Sequence, residues 1–280
     1  MVENLPITVL SESEAADSCG GDAAIIGLEL DILSEPVCFH IGITKKEARL
    51  ADIVPLVRTI SAKITGTVVE RIRREGGCIP CRRGCSACCS FLVPMSIPEA
   101  FRLREEMLAV SKSYWRRMQR LSLSAAQCIL KQKPPKSFMC QTTGTSAGSS
   151  VEPKVVSNWY ANLKLACPFH YKGVCTIYEQ RPLACREYLV KGSAEVCRSG
   201  RGAVEVVEVP MRMADVLSQL ASELEGTDAE AVMTPLALVW CEENTERDKQ
   251  TWPAVMMVER FVKIVKTIEQ KISTAVIAPA

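Results

Sequence analysis

The sequence predicts a mostly α-helical protein with a small β element, an α+β fold in which a helical domain carries cysteine-rich metal-binding loops. Three observations support this prediction. Apolar residues recur at helical spacing over long stretches, they alternate with polar residues in two short stretches near the N-terminus, and nine of the fourteen cysteines fall within residues 78–89 and 167–197. The 280 residues can bury a core in one large domain or two modest ones.

The N-terminal part of the chain is predicted to begin without structure and to continue as a hairpin. Residues 1–22 are rich in Ser, Glu, Asp and Gly, and we expect a disordered lead-in. Residues 23–75 are predicted to form a β-hairpin followed by a helix. Alternation flanks a turn at residues 34–36, and this pattern is typical of two paired strands.

The helix of this region has recognisable start and stop signals. Thr44 and Glu47 have the spacing of a capping box, so we expect the helix to begin there. Pro55 predicts an interruption, because its ring would clash with a carbonyl in the preceding turn. A helical stripe then continues to Gly76 and Gly77, which predict the end.

Residues 76–200 are predicted to form a cysteine-cluster metal-binding domain. Ser96, Pro98 and Glu99 predict a helix start, followed by a helical pair over 97–110 and 112–131. Residues 132–154 are dominated by Thr, Ser, Gly and Pro and predict a flexible loop, with a helix following near 155–165.

The region 201–275 is predicted to contain a strand and helices that pack on the same core. Its β-branched run is bounded by Gly202 and Pro210, which favours a strand. Helical spacing then predicts three segments, at residues 211–224, 228–243 and 252–273.

The cysteines have the density and spacing of metal ligands. In the first block, Cys85-x-x-Cys88 is short enough for two sulfurs to reach one ion, and Gly84 permits a tight turn before it. The adjacent Cys88 and Cys89 point about 100° apart if helical, so they could serve two metals, or one could bind metal while the other packs. In the second block, wider spacings suit ligands contributed one at a time by successive loops. Arginines that could donate hydrogen bonds to sulfur flank both blocks: Arg82, Arg83, Arg181, Arg186 and Arg198.

The two blocks together resemble a known family. The run Cys-Arg-Arg-Gly-Cys-Ser-Ala-Cys-Cys, followed by Cys-Pro-Phe and then Cys-Thr-Ile-Tyr-Glu-Gln-Arg-Pro-Leu-Ala-Cys-Arg-Glu-Tyr, is similar to bacterial cysteine-cluster proteins with a zinc- or iron-chelating domain, the CxxCxxCC domain. The resemblance covers residues 75–200. It implies a metal or iron–sulfur site with eight ligands: Cys81, Cys85, Cys88, Cys89, Cys167, Cys175, Cys185 and Cys197. Either Cys78 or Cys81 is the first ligand, and Cys81 is favoured.

The remaining cysteines and the histidines are interpreted as structural. Free cysteine often behaves as a small buried hydrophobe, and this interpretation covers Cys19, Cys38, Cys128, Cys140 and Cys241. His170 follows Cys167 closely and could be a ligand, but a position on a loop surface is favoured. His40 lies in the predicted hairpin.

Composition argues against several classes of partner. The net charge of +2 and the lack of a basic stripe predict no binding to nucleic acid. The N-terminus lacks the pattern of a secretory signal, and the longest apolar run, near Pro235, is too short for a bilayer. We therefore expect no membrane association and a cytoplasmic location, where thiols stay reduced.

These observations predict an intracellular protein that binds iron, as an iron–sulfur cluster or as iron alone. Eight thiolates exceed the four that one tetrahedral zinc ion needs. Two alternatives remain open. One is a structural zinc module that contacts a protein partner, and the other is a metal-dependent protein-modifying enzyme.

Overall fold

The computed structural model describes residues 5–17, 24–132, 153–199 and 204–277. The flexible loop predicted at 132–154 lies outside these residues apart from its ends. The helices are α1 (Glu12–Asp17), α2 (Val54–Arg74), α3 (Ile97–Val110), α4 (Lys112–Lys131), α5 (Pro153–Leu163), α6 (Leu183–Glu187), α7 (Ala194–Ser199), α8 (Met213–Glu225), α9 (Ala237–Glu243), α10 (Thr245–Asp248) and α11 (Ala254–Ile277). The strands are β1 (Ile7–Leu10), β2 (Ala24–Ile32), β3 (Glu35–Ile43), β4 (Glu47–Ala48), β5 (Pro94–Ser96), β6 (His170–Tyr171), β7 (Val174–Cys175), β8 (Leu189–Lys191), β9 (Glu205–Val207), β10 (Ala231–Met233) and β11 (Trp252–Pro253).

Helices predominate, and the strands form small antiparallel sheets of two or three strands. The predicted fold class, mostly α with a small β element, is therefore confirmed. In the described residues, no helix combines the length and the apolar character needed to cross a bilayer.

The chain divides into two compact units. The first contains the described parts of residues 1–71, 209–229 and 246–280, and the second contains those of 72–208 and 230–245. The C-terminal region, predicted to pack on one core, contributes to both units.

The first unit is built around a three-stranded sheet in the order β1-β3-β2. The predicted hairpin is β2 and β3, joined by Leu33 and Ser34, whose φ values of 58° and 67° are those of a tight hairpin turn. Strand β1 lies within the predicted lead-in, and it is ordered because Ile7 pairs with Ile43 and is fully buried. Pairing with a distant strand is invisible in the composition of the segment itself.

Helix α11 packs against β2 and α8 within this unit. Its buried face includes Val258, Phe261 and Val265, as the apolar spacing of the predicted C-terminal helix requires. Arg247 donates two hydrogen bonds of 2.7 Å to the carboxylate of Glu225, which ties α10 to the end of α8.

Helix α2 begins later than predicted. Glu47 and Ala48 form strand β4, which pairs with β11, so the predicted helix start at Thr44 is wrong. The helix begins at Val54, which places Pro55 in the first turn. Backbone N–H groups in the first turn have no acceptor within the helix, so the missing N–H of proline costs no hydrogen bond there. The helix ends at Arg74, just before Gly76 with φ +80°, as predicted.

In the second unit, α3 and α4 confirm the predicted helical pair. The capping box of Ser96 and Glu99 is also present. The predicted helix over 228–243 is only partly correct, because residues 231–233 form β10 and pair with β5 before α9 begins. Thr234 extends this pairing by donating from its N and Oγ1 atoms to the Val93 oxygen, at 3.0 and 2.8 Å.

A hydrophobic cluster supports the region where the cysteine blocks lie. Ile129 of α4, Val156 and Tyr160 of α5, and Met233 of β10 form its buried part. Leu92 packs against this cluster directly after the first cysteine block. Helix α5, which leads into the second block, therefore shares a core with the chain that leaves the first.

Candidate metal centre

The first cysteine block folds as a series of tight turns. Cys85 N donates to the Arg82 oxygen at 2.9 Å, and Cys89 N donates to the Ser86 oxygen at 3.1 Å. Gly84 has a φ of +89°, a conformation that other residues rarely adopt, so the predicted role of this glycine is confirmed. The turns allow closely spaced cysteines to be presented from a short length of chain.

The second block begins with a short hairpin that brings two cysteines together. His170 N donates to the Cys167 oxygen at 2.9 Å, and His170 pairs with Cys175 across strands β6 and β7. Lys172 and Gly173, both with positive φ, make the turn between the strands. The hairpin therefore returns Cys175 to the neighbourhood of Cys167.

Helix α6, which carries Cys185, is anchored at its start to the first turn of α3. Pro182 is its N-cap residue. Leu183 N donates to Glu99 Oε1 at 2.6 Å, and Ser96 Oγ donates to Glu99 Oε2 at 2.8 Å. One buried carboxyl group thus caps α3 and fixes the position of α6.

Two backbone hydrogen bonds join the two blocks. Cys167 N donates to the Cys89 oxygen at 2.7 Å, and Gly192 N donates to the Cys78 oxygen at 2.8 Å. The chain between the blocks therefore folds back so that they meet.

A cavity of about 80 Å³ lies where the blocks meet. Its volume exceeds the space that one water molecule needs. Apolar and aromatic side chains line part of it, including Phe91, Tyr160 and Phe169. Six of the eight predicted ligands line the rest: Cys85, Cys88, Cys89, Cys167, Cys175 and Cys185.

All eight predicted ligands are half-buried thiols, whereas Cys38, Cys78 and Cys128 are exposed and Cys241 is fully buried. Cys81 lies close enough to Cys85 and Cys197 for their charges to raise its pKa. These positions favour Cys81 over Cys78 as the first ligand. Cys19 and Cys140 lie outside the described residues.

Residues 80–200 match the model of a family named CxxCxxCC and described as a "Putative zinc- or iron-chelating domain". Residues 80–200, called the CxxCxxCC domain below after this match, are similar to that family. The resemblance seen in the sequence is thereby confirmed, and metal chelation is the property that this family assigns to the domain. No curated protein and no solved structure matches the chain.

Burial in the CxxCxxCC domain disfavours the charged form of the thiols. It raises the pKa of Cys89 to about 12 and the pKa of Cys167 to about 11, and the charges of neighbouring cysteines act in the same direction. Without a metal these thiols therefore keep their protons at neutral pH. A metal that binds them as thiolates must displace those protons.

Arg181 supplies the positive charge that faces these thiols. Its guanidinium group lies 4.1 Å from the ring centroid of Tyr178, a stacking contact of the cation–π type. Its charge acts to lower the pKa of Cys81, Cys175 and Cys185, against the larger effect of burial. Within the described residues, its Nε atom is buried without a hydrogen-bond partner.

The other arginines flanking the blocks have different contacts. Arg83 pairs with Glu179 at 3.7 Å, and Arg198 pairs with Glu195 at 2.8 Å. Arg186 donates to the oxygen of Arg181 at 3.1 Å and so braces the loop that carries this residue. The prediction that arginines support the sulfurs is therefore best met at Arg181.

His170 differs from its predicted position on a loop surface. It lies in strand β6, and its Nε2 atom is buried with no hydrogen-bond partner in the described part of the chain. The sequence did contain a signal for this position. His170 follows Cys167 by three residues, a spacing that one tight turn can close, and His170 N donates to the Cys167 oxygen in such a turn.

The thiols of the CxxCxxCC domain are neighbours rather than a closed coordination shell. Among residues 5–17, 24–132, 153–199 and 204–277, no three His, Cys, Asp or Glu side chains converge tightly enough to hold a metal ion as they stand. Binding would therefore include rotation of thiol side chains within a backbone that already brings them together.

Proposed function

We propose that the CxxCxxCC domain holds iron, as an iron–sulfur cluster, through thiolates from both cysteine blocks. The observation that carries this proposal is a cavity lined by cysteines of both blocks. Its ligands are drawn from the eight predicted cysteines: Cys81, Cys85, Cys88, Cys89, Cys167, Cys175, Cys185 and Cys197.

The chemistry of the site fits such a centre. Thiolates are the ligands that iron–sulfur clusters and zinc ions prefer, and eight of them exceed the four that one zinc ion takes. A centre with four thiolates carries a net negative charge, and the buried guanidinium of Arg181 would compensate part of it. Its Nε–H, unpartnered within the described residues, is available to donate to a thiolate or a cluster sulfide.

The residues of the domain would control what a bound centre can do. An iron–sulfur cluster supplies one-electron chemistry at a potential set by hydrogen bonds and solvent exposure. Apolar side chains of Phe169 and Ile177 would restrict water, and Arg181 would stabilise the more negative state. We place this function in a reducing cytoplasm, where the thiols stay available for metal.

Metal analysis of protein purified without oxygen tests the proposal. Iron and acid-labile sulfide in equal amounts, with visible absorption that bleaches on reduction, are the expected results. Cys78→Ser is a suitable control variant because Cys78 is exposed and should leave the iron content unchanged. Zinc without iron, and no visible absorption, would refute the cluster.

Two observations favour two other functions, a structural zinc module and a metal-dependent enzyme. The family description includes zinc, which favours a structural zinc module that presents a surface to a protein partner. In that case a chelator should unfold the domain and no redox activity should appear. The cavity beside the thiols favours a metal-dependent protein-modifying enzyme, in which one metal has fewer than four protein ligands and an open position.

A further inference from the structure

The two ends of the first cysteine block are joined to different parts of the second block. At one end, Cys78 accepts a hydrogen bond from Gly192, directly after strand β8. At the other end, Cys89 accepts a hydrogen bond from Cys167, directly before the β6–β7 hairpin. The first block therefore bridges two separate places, each with cysteines of its own.

One group of thiols gathers at the β8 end. The sulfur of Cys81 accepts a hydrogen bond from the backbone of Val190 in β8, and α7 with Cys197 follows this strand closely. Cys85-x-x-Cys88 completes the group at a spacing that suits one ion.

The other group gathers at the hairpin end. Cys167 and Cys175 are brought together by the hairpin, and α6 adds Cys185. Cys89 joins them because its backbone oxygen accepts the hydrogen bond from Cys167 N. All four thiols of this group line the cavity together with Cys85 and Cys88 of the first group, whereas Cys81 and Cys197 do not.

We propose that the eight thiols form two metal centres rather than one, an inference that rests on the proposed function. The first centre consists of Cys81, Cys85, Cys88 and Cys197. The second consists of Cys89, Cys167, Cys175 and Cys185. The iron–sulfur cluster belongs to the second centre, since the cavity that all four of its thiols line provides room for a polynuclear group.

The first centre then holds a single four-coordinate ion of the zinc type. Two of its four thiols lie away from the cavity, and four thiolates close the tetrahedral shell of a structural zinc ion. The adjacent Cys88 and Cys89 serve different centres because neighbouring side chains in a turn point in different directions. The first centre would fasten α7 to the first block, and the second would fasten the hairpin and α6.

Paired substitutions distinguish two centres from one. In the parent protein, purified without oxygen, we expect one zinc ion per chain together with iron. Cys81→Ser with Cys197→Ser should lower zinc at least tenfold and retain the iron and the visible absorption. Cys175→Ser with Cys185→Ser should remove the iron and retain the zinc. Cys38→Ser with Cys128→Ser is the matched control, since both thiols are exposed and belong to neither group.

The result that overturns the inference is the loss of both metals in either paired variant while its circular dichroism matches that of the parent. If a variant does not fold, titration of the metal-free parent with Co²⁺ decides the question. Two centres require two equivalents of cobalt to complete the thiolate-to-metal absorption, and an endpoint at one equivalent overturns the inference. Two zinc ions without iron would instead refute the cluster of the proposed function and leave the two-centre arrangement standing.

Discussion

Replacement of Glu99 by alanine should destabilise the second unit and weaken its hold on metal. Glu99 is fully buried, and its carboxyl group accepts hydrogen bonds from Ser96 N at 3.2 Å, Ser96 Oγ at 2.8 Å and Leu183 N at 2.6 Å. The first two cap helix α3, and the third fixes the start of α6, which carries Cys185. The substitution therefore acts on fold and site together.

The cost follows from the bonds that are lost. Removing an acceptor from a buried donor costs about 1–3 kcal/mol for each group left unsatisfied. Leu183 is completely buried, so water cannot replace the lost partner of its N–H without opening the structure. The costs of the three lost hydrogen bonds add up, so we expect Glu99→Ala to lower the free energy of unfolding by about 3–5 kcal/mol. Glu99→Gln keeps one acceptor oxygen and should lose about half as much.

Urea unfolding followed by tryptophan fluorescence measures this change. Trp115, Trp159 and Trp240 lie in the second unit, so the emission reports mainly on that unit. With a slope of about 1–3 kcal/mol per molar urea, the midpoint should fall by roughly 1–5 M.

Glu243→Ala is the matched control for Glu99→Ala, since Glu243 is an exposed helical glutamate of the same unit. We also expect the Glu99→Ala protein to lose metal to a chelator faster than this control. Equal midpoints for the two variants would refute the argument that the buried carboxyl group joins α3 to α6.

Three further predictions concern the cysteine blocks. Gly84→Ala should lower the free energy of unfolding by about 1–2 kcal/mol, because Gly84 has a φ of +89°. The control Gly66→Ala, within α2 and with open space around the new Cβ, should leave it unchanged or raise it. Urea midpoints and metal content measure both variants. Arg181→Gln should slow alkylation of the metal-free thiols at a fixed pH, because the thiolates lose a positive neighbour, and Arg83→Gln, exposed and paired elsewhere, should not. The metal-free protein should be fully stable below about pH 8.5 and lose stability at higher pH, since the pKa of Cys89 is raised to about 12 in the folded state from about 8.5 in the unfolded chain. Urea midpoints of reduced protein at neutral and alkaline pH check this, and a midpoint that does not change would contradict it.

Local signals predicted the helices that follow the first block. Ser96, Pro98 and Glu99 lie within one turn, so the start of α3 can be read from neighbouring residues, and the structure has it there. Strand β10 could not be predicted in this way, because residues 231–233 are strand only through pairing with 94–96. Strand β1 has the same explanation, since its partner β3 lies more than thirty residues away. Strands β1 and β10, which the sequence did not predict, are thus both stabilised by strands distant in the chain.

The same limit applies to the candidate site. The resemblance to the CxxCxxCC family proposed eight thiols; all eight are half-buried, and six of them line one cavity. The sequence could not single out Arg181, because all five arginines carry the same charge and lie close to cysteines along the chain. The stack on Tyr178 and the burial of Nε depend on how the loop before α6 folds. A sequence can therefore propose candidate ligands for such a site more readily than the charged group that would balance them.

Arg181 also gives a physical reason for two centres to depend on one another. Its charge acts on Cys81 of one proposed centre and on Cys175 and Cys185 of the other. Each centre with four thiolates adds negative charge, so occupation of one should increase the repulsion felt by the other. The guanidinium group of Arg181, whose charge acts on thiols of both proposed centres, would reduce this repulsion. Lysine at this position would keep the charge but lose the planar stack on Tyr178 that holds it in place, so Arg181→Lys should retain less metal than the parent.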